Sequence, residues 1–289
     1  MKLGARLVTV LAVAAALLAT TGCNKLRARD QLNKGVKAYR SANYEQAIEH
    51  FKTAVFLDSD LKVAKLYLAT AYAMQYVPGV DAPDNLRNAQ QAIEEYKKVL
   101  EKDPKNVNSL KGIAFLYMQM KKFDEAADYY KKAIEADPND PETYYSVGVI
   151  DWTAAFKDAA DKKGKEGLKV EDELKGKGSQ KLCDELKAAD GPKIDEGMKM
   201  LQTAMDKRQD YDDAMAYMNL LYRRKAVDMT CDDAQERANL VKTANEWSDK
   251  AMAARKKKAD EAAKKTAGGI VLDQPQSQQS SGSSNQPKK

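Results

Sequence analysis

The sequence predicts an all-α fold: an α-solenoid of about five antiparallel helical hairpins, with a C-terminal helix and a disordered tail. Three observations predict it. Charged residues make up 31% and aromatics 7%, with only 15 Gly and 8 Pro, a balance that suits helices better than strands. Small and aromatic residues recur in a fixed pattern, clearest in the 34 residues Val107 to Asp140. Proline-rich turns such as Asp137-Pro-Asn-Asp-Pro141 fall between the units, where they stop one helix and start the next.

The N-terminus precedes the array. Lys2 and Arg6 form a short positive region, followed by an apolar run from Leu7 to Ala19. That run is shorter than the roughly 20 residues a membrane-spanning helix needs and matches the core of a signal peptide. Thr20-Thr21-Gly22-Cys23 then resembles the bacterial lipobox, departing from it at Thr20, where an aliphatic residue is usual. The resemblance implies cleavage after residue 22, lipid attachment at Cys23 and export to the cell envelope. Asn24, in place of the aspartate that favours inner-membrane retention, points to the periplasmic face of the outer membrane. Ordinary signal cleavage beside an incidental cysteine is the competing reading.

The repeats fall at about 28–61, 62–106, 107–140, 141–211 and 212–257. In the third, Leu110, Ile113, Ala114, Tyr117, Ala126, Tyr130, Ala133 and Pro138 occupy positions 4, 7, 8, 11, 20, 24, 27 and 32. Small residues at 8, 20 and 27 allow close helix approach, and the aromatics fill the space between hairpins. The first unit has Gly35, Ala47, Phe51 and Ala54 at positions 8, 20, 24 and 27. The second carries Leu68, Ala69, Tyr72, Ala92, Tyr96, Val99 and Pro104, with an 11-residue insertion placed around the turn-rich stretch Val77–Pro83. The fourth starts with Tyr144, Val147 and Gly148 and resumes at Gly197, Leu201 and Ala204, across a Lys/Gly-rich insertion at 157–192. The fifth carries Met215, Met218, Asn219 and Tyr222; a short insertion, Lys225 to Thr230, precedes a last helix near Cys231 to Lys257. Residues 258–289 read as a disordered basic and polar tail, too poor in apolar residues to offset ordering entropy.

This pattern resembles the tetratricopeptide repeat family, and with the lipobox the chain is similar to bacterial tetratricopeptide lipoproteins. The resemblance implies a right-handed solenoid whose groove is lined by positions 2, 5, 9, 12 and 13 of each first helix. In this sequence it nominates Tyr39, Arg40, Lys111, Phe115, Tyr145, Trp152, Arg223 and Arg224 as partner-binding residues, a mixture of aromatic and basic side chains suited to a peptide or helix. Trp152 reads equally well as core. The Lys/Asn pattern with which chaperone-docking relatives clamp a C-terminal carboxylate is missing, since Leu32 and Val36 stand at positions 5 and 9 of the first unit.

Other chemistry is thinly represented. The net charge of +5 comes from the two ends, and the near-neutral body argues against a nucleic-acid-binding face. One histidine, His50, and three cysteines leave no metal set, no catalytic residues and no cofactor-binding loop. In an exported chain Cys183 and Cys231 form a candidate disulfide, the alternative being two unrelated thiols. The sequence thus predicts a non-enzymatic, membrane-anchored scaffold that binds other envelope proteins. Lipid-anchored relatives of similar size serve in outer-membrane protein assembly and type IV pilus biogenesis. A periplasmic small-ligand or peptidoglycan-binding protein is the alternative.

Overall fold

The computed structural model describes residues 23–267. The signal-peptide assignment and the tail beyond residue 267 lie outside the described residues. Among those residues there are ten helices and no strand. Helix α1 covers residues 23–40. It is followed by α2 (Tyr44–Leu57), α3 (Lys62–Gln75), α4 (Pro83–Lys102), α5 (Val107–Gln119), α6 (Phe123–Ala136), α7 (Pro141–Lys165), α8 (Gln180–Lys207), α9 (Asp212–Asp228) and α10 (Ala234–Ala267). Each helix from α2 on packs on the next, and α3 also touches α5 and α7 touches α9. First helices of successive hairpins therefore stack, which builds a solenoid.

Close approach within each hairpin explains the small residues. A Cβ added to Gly35 would lie 2.5 Å from the ring of buried Phe51. One added to Gly148 would lie 2.6 Å from Leu201 Cγ and 3.2 Å from the Gly197 carbonyl oxygen. Position 8 is thus the socket for the large residue at position 24. Ala47, Ala54, Ala126, Ala133 and Ala204, at positions 20 and 27, are all fully buried. The core follows the array: one cluster joins the first three hairpins, a second the third and fourth, a third the fourth and fifth.

The two edges of the array differ. Every connection between hairpins (58–61, 103–106, 137–140 and 208–211) has four residues. In each, the residue after the helix donates its backbone N–H to the carbonyl at position 27: Ala54, Val99, Ala133 and Ala204. Asp140 caps α7 by accepting from the Glu142 N–H at 3.0 Å, and Pro141 follows at the first helical position. The turns inside hairpins, on the opposite edge, range from three residues (41–43) to fourteen (166–179).

All length variation sits on that second edge. In the second hairpin, α4 has 20 residues where α6 has 14, and residues 76–82 form a loop. Buried Asn85 holds the loop by accepting from Val77 N–H and donating to the Val77 and Val80 carbonyls at 2.7–2.8 Å. In the fourth, the insertion is mainly helix. α7 runs 25 residues through Gly164, and α8 runs 28 residues through Pro192. Residues 168–186 fold onto them as a small core of Leu168, Val170, Leu174, Leu182, Cys183 and Leu186. α9 continues to Asp228 through the segment read as an insertion, because Ala226 and Asp228 pack inward.

The last helix also departs from the sequence reading. Residues 258–267, assigned to the disordered tail, are helical and extend α10 to 34 residues. Ala, Lys and Glu dominate this stretch and favour helix. Ion pairs fix the helix where this stretch begins: Arg255 to Asp212 at 2.9 Å and to Asp213 at 3.1 Å, with Lys258 on Asp212.

Cys183 and Cys231 are joined by a disulfide across a sequence separation of 48, with Cα atoms 5.7 Å apart. It ties α8 to the turn before α10. In the chain-entropy model a loop of that length contributes about 4 kcal/mol. Cys183→Ser with Cys231→Ser is therefore expected to lower the denaturation midpoint clearly. A thiol assay on denatured, unreduced protein should find neither of these two cysteines.

Candidate partner-binding face

The extended fourth and fifth hairpins bring together a row of aromatic rings. Tyr211, Tyr145, Tyr217, Trp152 and Phe156 follow one another with ring centroids 5.2, 5.7, 5.5 and 5.2 Å apart. Edge-to-face and offset contacts at these spacings favour a rigid surface over a loose one. Tyr211 anchors one end: it is buried and donates to Glu142 Oε2 at 2.6 Å, and Arg208 also binds that carboxylate. Burial, with Tyr217, Asp213 and Glu142 nearby, pushes the Tyr145 phenol up to about 12, so it stays neutral.

The other end of the row opens into a cavity of about 290 Å³. Trp152, Phe156, Leu220, Val227 and Val241 make its apolar surface; Arg223, Arg224 and Glu171 supply charge. Trp152 is half-buried and belongs both to the core between hairpins and to the cavity wall. Phe156 and Val227 both stand at position 16, beyond the usual first helix. They face the cavity because α7 and α9 are extended, and Glu171 comes from the insertion loop. Sequence reasoning missed Phe156, although its i, i+4 spacing from Trp152 carried the signal.

Below the cavity lies a buried ion cluster. Lys163, with no exposed surface, sits 2.6 Å from Asp228 and donates to the Val170 and Asp172 carbonyls at 3.1 and 2.7 Å. Arg224 binds Asp228 at 2.5 Å and donates to the Val170 carbonyl at 2.8 Å. Burial pulls the Lys163 ammonium below the usual lysine range, against the pull of Asp228. Burial likewise lifts the Asp228 carboxyl, against Arg224 and Lys163. This corrects the expectation for Arg224: it is 6% exposed and is committed to Asp228 and the insertion. Its guanidinium lies over the Phe156 ring at 5.7 Å, so it braces the cavity wall.

The other nominated residues are spread along the array. Arg223 is exposed and donates to Asn219 and Asn245 at 2.8 Å. Lys111 is paired with the capping Asp140 at 2.6 Å, which links the third and fourth hairpins. Tyr39 is half-buried against Tyr44 and Tyr67, with Arg40 exposed beside it. Phe115 is 49% exposed. Cys23 is an exposed free cysteine. His50 bonds Gln31 at 2.7 Å, and among the described residues no group of three or more His, Cys, Asp or Glu is placed to hold a metal ion.

Residues 86–147 match the tetratricopeptide repeat family model. That segment carries tetratricopeptide repeats. The matched segment runs from α4 into α7, around the most regular unit. Among solved structures, a MamA protein aligns with a TM-score of 0.53 at 14% identity, covering 81% of this chain and 94% of that one. MamA from residue 41 on, from Desulfovibrio magneticus RS-1, aligns with a TM-score of 0.53 at 16% identity, covering 80% and 96%. These likenesses show a shared α-solenoid fold of stacked helical hairpins. No curated protein matches the sequence.

One buried carboxyl in the fourth hairpin makes a test of its packing. Asp151 is 6% exposed, lies against Gly197, and its Oδ2 lacks a hydrogen-bond partner. Burial first, then Glu196, push its pKa up to about 7, against Lys131 and Lys193. The stability of the neutral form is fully present below the unfolded carboxyl pKa of about 4 and is lost as pH rises through about 7. Asp151→Asn is expected to raise the thermal midpoint at pH 8 and to raise it much less at pH 5. Equal shifts at both values would contradict that ionisation.

Proposed function

We propose that this chain is a lipid-anchored scaffold or adaptor of the bacterial cell envelope that holds a protein partner in the cavity between its fourth and fifth hairpins. The observation that carries this reading is the rigid aromatic row ending in an apolar cavity with Arg223 at its margin. Interface energy concentrates in aromatic and arginine side chains that fill or line pockets. A hydrophobic or aromatic side chain of a peptide or helix would fill the hollow, and Arg223 would meet a polar or acidic neighbour. Envelope placement rests on the lipobox resemblance at residues 20–23. The periplasmic face of the outer membrane, in barrel assembly or pilus biogenesis, is the setting that resemblance suggests.

Affinity capture from solubilised envelopes tests the binding face. Trp152→Ala with Arg223→Ala is expected to weaken capture of a specific protein at least about tenfold, as for a typical pair of hot-spot truncations. Recovery of glycan alone, or undiminished capture, would favour the ligand- or peptidoglycan-binding alternative. Labelling with a palmitate analogue tests the anchor separately: the wild type should be marked and Cys23→Ser should not.

A further inference from the structure

The edge with the four-residue connections carries a second feature at its N-terminal end. α1 and α2 form an antiparallel hairpin, so the turn of α1 around residue 26 and the last turn of α2 lie at the same end. Leu26 and Phe56 occupy those two turns, and they are 69% and 89% exposed, the most exposed large apolar side chains among the described residues. α3 begins four residues after α2 ends, and the end of α4 returns beside it. There Lys62, Lys65, Lys98 and Lys102 line a hollow of about 260 Å³ with Ser59, Asp60 and Val99. Asp60 is the one carboxylate among the lining residues.

The placement of these lysines runs against helix electrostatics. The N-terminus of a helix carries partial positive charge and favours acids in its first turn. α3 has no acid in its first turn and no side-chain cap, and it carries Lys62 and Lys65 there. Lys98 is exposed and has a local partner in half-buried Glu95 at 2.7 Å on the same helix. An external anion would relieve the repulsion. Lys25, Arg27 and Arg29 are also exposed around Leu26, and no acid occurs between Cys23 and Arg29.

We propose that this edge is a membrane-docking face, in which the lysine hollow takes the phosphate headgroups of an anionic bilayer while Leu26 and Phe56 enter its interface. Apolar side chains ringed by basic ones bind such surfaces through burial and charge together. The face lies at the same end as Cys23, yet it acts without acylation. It would lay the first two hairpins on the bilayer in one orientation, where a lipid alone leaves the array free to swing.

The test uses the chain from residue 23 on with Cys23→Ser, so that no lipid anchor contributes. It is expected to co-sediment with vesicles of phosphatidylglycerol in phosphatidylcholine and to bind pure phosphatidylcholine vesicles at least about tenfold more weakly. A lysine at an anionic surface is worth about fivefold in partition. Lys62→Glu, Lys65→Glu, Lys98→Glu and Lys102→Glu together should therefore lower binding by more than about a hundredfold. Phe56→Ser should lower it less, and Lys264→Glu with Lys265→Glu, on the far helix, should leave most of it. Circular dichroism should show an unchanged helical fold in all variants. The proposal is overturned by equal binding to both vesicle types, by retained binding in the four-lysine variant, by loss in the Lys264/Lys265 variant, or by binding of inorganic phosphate without vesicles. Because acylation is absent throughout, failure here leaves the lipid at Cys23 untouched.

Discussion

The close approach of paired helices at position 8 is the constraint on which the rest of this molecule depends. A Cβ at Gly35 or Gly148 would lie within about 2.6 Å of Phe51 or Leu201. The hairpins can therefore keep their spacing only while a small residue faces a large one. Once that pairing is set, successive hairpins bury a continuous apolar core and stack in register. The four-residue connections follow from the same geometry, since each helix ends with an N–H returned to the carbonyl at position 27.

The fourth and fifth hairpins show how a large insertion is accommodated without breaking that register. Their helices lengthen away from the regular edge, and the added turns need their own interior. Apolar Leu174 and Leu186 supply part of it, and Lys163, Arg224 and Asp228 supply the remainder as a buried ion cluster. Removing one member of such a cluster leaves an uncompensated charge, typically costing about 3–5 kcal/mol. The disulfide between Cys183 and Cys231 closes the same region covalently. The cavity beside Trp152 and Phe156 is thus walled by elements that the insertion makes and that these interactions hold still.

Much of the array was legible in the sequence because position 8, 20, 24 and 27 residues answer to contacts within one hairpin. Gly35, Ala47, Phe51 and Ala54 carry their packing role in their size alone. The cavity was less legible because it depends on positions outside the repeat. Phe156 and Val227 follow the last template position of their helices, and only the extension of α7 and α9 makes them wall residues. Arg224 was misplaced for a related reason: repeat phase assigns it to the groove, but the insertion brings Asp228 and the Val170 carbonyl to it. The stretch 258–267 offers no large apolar residue to mark it as part of a packed helix, which places it in the tail by composition, although its own Ala, Lys and Glu content favours helix.

The unequal edges separate two properties that are usually coupled in a repeat array. Rise per residue in a helix is 1.5 Å, so α7, with 25 residues against 13 in α5, stands about 18 Å taller than its counterpart. All of that height is gained on one side, while the other stays level because its connections never change length. The array can therefore vary its reach while keeping a flat base. Elongating a hairpin moves its tip outward without changing the connections that join it to its neighbours.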